Sequence, residues 1–310
     1  MSQPSCPIRV CGGKRTEGSM IDAEAPKVAR GDALSKARFT LTSAGRFGAA
    51  IILFWLIVAI VGPFVAPFTL GEFVSDEGFA PPGGASLLGA DYLGRDMFSR
   101  IVHSAWLTLG MAGAATLIAT SVGSALGIFA AIKGGWIDVI ISRIVDTFHS
   151  FPTLILGLVI IAALGPSRTL LILMTGLIYA TSVYRIARAL GMDIVVTDFV
   201  QVARARGEHT SWILFHEILP NAATPLVVDF GIRLSFSILF LSSLSFLGMG
   251  VQPPYADWGS LVRENMSGLI SGSLAPIYPA LAIASFTIGL NLIIDDFAAS
   301  SGRSIASKIA

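Results

Sequence analysis

Two ionisable side chains, Asp229 and Arg233, stand inside an otherwise uncharged apolar run. They are four residues apart with the acid first, the better order for an ion pair on one helix face. A charge held at mid-membrane costs about 2.5–3.5 kcal/mol on insertion scales, and pairing lowers that cost. The pair reads either as a self-satisfied structural contact or as a polar lining of a passage, where Arg233 could meet a carboxylate. Other chemistry is hard to assemble. The four histidines, His103, His149, His209 and His216, are scattered, and no His-Glu-x-x-His helix exists. Cys6 and Cys11 have no nearby His or further Cys and read as incidental rather than as a metal or redox pair. Gly12-Gly13-Lys14 lacks both the earlier glycine and the following hydroxyl of a phosphate-binding loop. No nucleophile has a base at interpretable spacing. We therefore expect no catalytic residue, no metal site and no directly bound cofactor.

A second polar stretch lies between two apolar blocks. Residues 198–206 are good helix formers that stop at Gly207, a natural C-terminal stop. Thr210 or Ser211 can cap a second short helix over 211–219, with Pro220 following. The expected shape is helix, glycine bend, helix, with Gly207 at positive φ. Trp212, Phe215 and Leu219 fall at i, i+3 and i+7 and share one face. That face could rest on lipid, on the chain's own helices or in a partner's cleft, and Arg204, Arg206, Glu208 and Glu217 would rim it.

The elements that must position these groups are membrane helices. Of 310 residues, 54% are hydrophobic and 13% charged, against about 25% charged in a soluble domain. A net charge of +1 gives no global field that would attract nucleic acid. Six apolar runs are evident, at 47–68, 105–132, 139–164, 169–184, 224–248 and 274–294. Residues 1–46 are polar and irregular and read as a disordered extension, 47–298 as the membrane domain and 299–310 as a short polar tail. Gly123-x-x-x-Gly127 in the second run would let another helix approach closely. Pro152 should kink the third. Arg143 and Asp146 share a helix face there, and Asp91, Arg95 and Asp96 can pair in the loop before the second run. Six spans put both termini on one side. Taking that side as the cytoplasm places most of the 21 cations inside, as the positive-inside rule requires.

The stretch 198–221 resembles the cytoplasmic loop of binding-protein-dependent ABC importer permeases. Ala203, Gly207, Leu219 and Pro220 fall on that loop's pattern, while Gln201 replaces its usual Glu and Val202 its first Ala. Three further strings are similar to the same family, the first of them to its peptide/nickel branch. These are Leu88-Gly89-Ala90-Asp91-Tyr92-Leu93-Gly94-Arg95-Asp96, then Arg143 and Asp146 with Phe151-Pro152, then Leu244-Ser245-Phe246-Leu247-Gly248 continuing through Pro253-Pro254 to Trp258-Gly259. The likeness spans about residues 45–300.

The resemblance implies an all-α membrane protein of six transmembrane helices, with the type I ABC importer permease fold and a cytoplasmic coupling helix. It implies one permease subunit, non-catalytic, forming half of a passage for peptides or related small solutes. A homologous second permease, two ATPases carrying ATP and Mg, an extracytoplasmic binding protein and membrane lipid are the implied partners, in a bacterial inner membrane. On this reading the ATPase-coupling residues are Gln201, Ala203, Arg204, Arg206, Gly207, Trp212, Phe215, Leu219 and Pro220. Asp229 and Arg233 are then the candidates for the translocation path. Many relatives carry a Glu later on that helix, where this chain has Leu241. The rival reading is an autonomous secondary transporter or channel, but no clear repeat relates the halves and only one charged pair is embedded.

Overall fold

The computed structural model describes residues 42–83 and 86–309, with side chains through Ala299. The expected extension over 1–46, with Cys6 and Cys11, lies outside the described residues except for its last five. Those open the first helix, α1 (Ser43–Val65). The Thr42 side chain caps α1 by accepting from Gly45 N at 3.3 Å, and Thr42 N donates to Asp296 Oδ2 at 2.9 Å. Then come α2 (Met97–Lys133), α3 (Gly135–His149), α4 (Thr153–Leu164), α5 (Arg168–Val195) and α6 (Asp198–Ala205). The chain continues through α7 (Thr210–Trp212), a π-helical turn (Ile213–Ile218) and α8 (Leu219–Phe246). It closes with α9 (Trp258–Glu264), a 3-10 turn (Met266–Leu269) and α10 (Ile277–Ile309). Among the described residues there are isolated bridges but no strand.

Five helices are long and apolar enough to cross a membrane: α1, α2, α5, the continuous Thr210–Phe246 segment, and α10. The expected third span is a bent pair. α3 and α4 meet at 86°, and counting them as one span gives six. The break falls at Ser150-Phe151-Pro152, where the proline ring removes a helical donor. Alone, α4 would reach only about 18 Å, at about 1.5 Å per residue, short of a hydrocarbon core. The fourth run, expected to end near Tyr184, continues as helix to Val195, with Ala187 and Gly191 packed on α2 and Arg188 paired with a carboxylate on α3.

The centre of the bundle is the contact of α2 with α5. A Cβ at Gly123 would lie 2.6 Å from Val183 Cβ and 2.7 Å from Ala180 O. One at Gly127 would lie 2.6 Å from Tyr184 O. The Gly-x-x-x-Gly expectation is thus met, with α5 as the partner. Around this seam α8, α9 and α10 complete a core that includes Ile238, Leu241, Leu244, Leu261 and Trp258. α1 packs on α10 at Gly48, whose Cβ would meet Gly289 O at 2.6 Å. Its other face is apolar and open, with Phe54, Ile60 and Phe64 exposed.

α9 is a short buried helix outside the long spans, and it is pinned at both ends. Trp258 N donates to Thr108 Oγ1 at 3.0 Å, and Trp258 Nε1 to Ile101 O at 3.1 Å. At the far end Glu264 sits 2.8 Å from Arg100, which also bonds Asp91 at 2.6 Å. The expected local pairing of Asp91 with Arg95 is present at 2.7 Å. Asp96 does not join it. It caps α2 by accepting from Ser99 N at 2.8 Å and from Ser86 Oγ at 2.9 Å. Ser86 and Asp257, which the sequence places in open polar segments, are both buried.

Two predictions follow from this packing. Gly123→Ala should lower the thermal midpoint of the purified protein by separating α2 from α5, while Gly110→Ala, which meets nothing within 4 Å, should not. Equal midpoints would contradict the close seam. The second concerns Asp257, which caps α9 and whose Oδ2 is buried with no hydrogen-bond partner among the described residues. Burial pushes this carboxyl above the usual range, against the opposing hydroxyls of Ser260 and Ser245. A raised folded pKa means that the neutral form is favoured in the fold. Its stabilisation is present at low pH and lost as pH rises through the folded pKa. Asp257→Asn keeps a capping oxygen without the charge, so it should melt no lower than the wild type at pH 8. Asp257→Ala, losing about 1 kcal/mol of cap, should melt below the Asn variant at pH 5 and pH 8 alike. An Asn variant less stable than the wild type at pH 8 would reverse this reading.

Candidate functional site

The segment between α5 and α8 is built from the inside outward. Val200 and Ala203, three apart on α6, are buried against Ile213, Leu214 and Ile218 of the π turn. Ile128 of α2, Ala187 of α5 and Ala222 and Leu226 of α8 close the same cluster. The loop therefore has its own apolar core, seated on the ends of three long helices.

Its bend is a glycine-terminated helix end. Gly207 N donates to Arg204 O at 2.9 Å and Glu208 N to Ala203 O at 3.2 Å, the paired bonds of a Schellman motif. Gly207 has φ +81°, as expected, and a Cβ there would meet nothing within 4 Å. Backbone conformation, not crowding, is what requires glycine here.

Beyond the bend the expected short helix is not a separate element. The helix starting at Thr210 runs through Pro220 to Phe246. Its first residue has no side-chain cap, since His209 occupies the cap position. Pro220 has no N–H and its ring crowds the carbonyl four residues back, which should end an α-helix. The π turn just before it relieves the conflict by widening the helix, with Leu219 N donating to Leu214 O. Asn221 Nδ2 supplies a further donor to Glu217 O at 2.5 Å.

The wider turn also changes which side chains face outward. Trp212 and Leu219 are partly buried against the loop's own core, and only Phe215 of the expected trio is exposed. The Trp212 ring stacks on His216 at 5.1 Å and lies 5.5 Å from the Arg206 guanidinium. The outward apolar groups are instead Phe199 and Val202 of α6, at 41% and 57% exposure, and Phe215, at 57%. The sequence reading missed the first two. Their i, i+3 spacing, offset from that of Val200 and Ala203, signals a helix apolar on two faces.

The polar groups are largely occupied within the chain. Gln201 Nε2 donates to Val195 O at 2.9 Å, closing the end of α5. Arg204 Nη2 donates to Ile132 O at 3.2 Å, at the end of α2. Arg206 is 3.9 Å from Glu208 and 4.0 Å from Glu217. Arg143 and Asp146, expected to share a face, are both exposed, and the acid of α3 that pairs is Asp138, with Arg188.

Asp229 and Arg233 lie away from the loop, midway along α8, with Arg233 Nε donating to Asp229 Oδ1 at 3.1 Å. The carboxylate is buried and its Oδ2 has no hydrogen-bond partner among the described residues. The guanidinium lies 5.9 Å from the Phe236 ring and is partly exposed. Leu241, further along, is buried in the main core and offers no surface to a passage.

The sequence that builds this bundle, with its self-packed loop between α5 and α8, matches a known group of proteins. Residues 123–306 match the family described as binding-protein-dependent transport system inner membrane component. The chain belongs to this family. It is similar to a dipeptide transport system permease protein of Alkalihalophilus pseudofirmus, at 31% identity over 248 residues, 80% of this chain and 82% of that one. A glutathione transport system permease protein of Pectobacterium atrosepticum shows 31% identity over 245 residues, covering 79% and 81%. A putative peptide transport system permease protein of Brucella suis shows 31% over 250 residues, covering 81% and 84%.

The chain is thus a permease subunit of a binding-protein-dependent ABC importer, a multi-pass inner-membrane component. Such permeases work with a binding protein, an ATPase and permease partners. In this binding-protein-dependent permease, Gly207→Val should strain the bend by about 1–2 kcal/mol. At equal abundance it should lower the ATPase activity of the reconstituted transporter, while Gly207→Asn, which tolerates positive φ, should retain most of it. Full activity in the Val variant would remove the bend from the mechanism.

Proposed function

We propose that this permease forms half of a translocation pathway for peptides or related small solutes, beside a homologous second permease and above two ATPases. A binding protein on the opposite side delivers the solute. The peptide class rests on the names of the similar permeases, which are dipeptide, glutathione and peptide transport proteins. ATP and Mg belong to the ATPase subunits on this reading. The positive-inside rule favours the loop facing the cytoplasm with both termini, with the bent α3–α4 pair as the third of six spans.

The observation that carries the docking role is the two-sided loop. Its inner face is closed by Val200, Ala203 and Ile218, while Phe199, Val202 and Phe215 stay exposed on two elements that pack together. A loop with a filled core and a remaining apolar outer face, rimmed by Asp198, Arg204, Arg206 and Glu217, has the composition of a protein contact. Gly207 and the Schellman bonds give it a fixed shape. Asp229 and Arg233 are the polar groups we assign to the passage, with Arg233 as the side chain able to meet a solute carboxylate.

Replacing both Phe199 and Val202 with Asp should cut co-purification of the ATPases about tenfold or more, since a few central apolar side chains carry most of an interface's energy. Gln201→Ala should cost little, because that side chain caps α5. The measurement is ATPase retained per permease at matched expression. Wild-type retention by the double Asp variant would sink the docking role. Solute transport by the permease alone in liposomes would favour an autonomous transporter instead.

A further inference from the structure

Two arginines hold the turn between α2 and α3. Arg204 of α6 donates to Ile132 O, in the last turn of α2. Arg188 of α5 forms a two-pronged ion pair with Asp138 in the first turn of α3, Nε to Oδ1 and Nη2 to Oδ2. One helical turn later on α3 and one turn earlier on α5, Ser142 Oγ and Tyr184 OH are 2.9 Å apart. A forked guanidinium–carboxylate pair fixes orientation as well as distance. Between the two arginines the chain passes through Gly134 and Gly135, both at positive φ (59° and 55°), in open space. The start of α3 is thus fastened to α5 by side chains.

The other end of α3 is weakly held. His149 contacts Thr181 only at 3.5 Å, and the chain then breaks at Ser150-Phe151-Pro152 with the 86° bend. Beyond the break, α4 packs on α8, where a Cβ at Gly157 would meet the Phe240 ring at 2.8 Å. α8 is the helix that carries Asp229 and Arg233 and that begins in the docking loop.

We infer that α3 is a lever. The docking loop is seated on α5 at Ala187 and bonded to its end by Gln201, α5 drives the lever through the Arg188–Asp138 pair, and the Pro152 bend changes angle in response, carrying α4 against α8. Asp138 and Arg188 are positioning residues in this inference, which rests on the loop being the ATPase contact. Hinge motion at a broken helix is a two-arrangement element of the kind that transmits coupling between distant sites.

The test uses the complete transporter with its ATPases. Spin labels go on cysteines at Ile140 of α3 and Val159 of α4, both exposed, with Cys6 and Cys11 changed to Ser. The distance between labels is measured without nucleotide and after trapping with ATP and vanadate. In the otherwise wild-type protein the distance should shift between the two states. Asp138→Asn and Arg188→Gln should each abolish the shift while the ATPases still co-purify at wild-type level. Asp138→Glu, which keeps the pair, should retain it. An unchanged distance in the wild type, a shift that persists in Asp138→Asn, or equal loss in the Asn and Glu variants would overturn the lever. Loss of ATPases from the Asp138→Asn complex would overturn it too, by making the pair a docking element. ATPases missing from the wild-type complex would remove the docking reading and the lever together.

Discussion

The bundle depends on how closely α2 and α5 approach. In lipid there is no hydrophobic drive between helices, so association comes from packing and hydrogen bonds, and small residues let backbones touch. Gly123, Gly127 and Gly176 place α2 and α5 backbone within a missing Cβ of each other, and Gly191 extends the seam to Ala131. The loop between α5 and α8 is seated where this seam ends, on Ile128 and Ala187. α3 is fastened to the same stretch of α5 by Tyr184 and Arg188. A separation of α2 from α5 would loosen the loop and the bent pair at once.

The buried and partly buried charges follow one rule. Charged groups out of water need partners with good geometry. Arg100 meets Asp91 and Glu264, Arg188 meets Asp138, and Arg233 meets Asp229. The first joins the polar loop before α2 to the end of α9, and the second joins α5 to α3. Both therefore tie together segments that backbone hydrogen bonds leave separate. The third lies within α8 and joins two residues of one helix.

The loop shows how local conflicts are resolved by packing. Pro220 argues against a continuous helix, yet the helix continues because a π turn makes room and the apolar side chains on both sides of it need one common core. That choice rotates Trp212 and Leu219 inward and leaves Phe199, Val202 and Phe215 outside. Which face of this segment stays exposed thus depends in part on how the helix passes its proline.

The sequence alone determined what depends on near neighbours along the chain. Apolar runs long enough to span, the close approach at Gly123 and Gly127, the break at Pro152, the positive φ of Gly207 and the Asp229–Arg233 pair were all legible, because each follows from local conformation or helical spacing. Ordered motifs carried the family. Tertiary structure alone decided what depends on residues far apart. Asp138 has no cation three or four residues away on its own helix, and it pairs with Arg188, fifty positions away. Arg100 with Glu264, the burial of Asp257 and the outward turn of Phe199 and Val202 are of the same kind. Helical spacing says which side chains share a face, but only the packing of one helix against another says which face is covered.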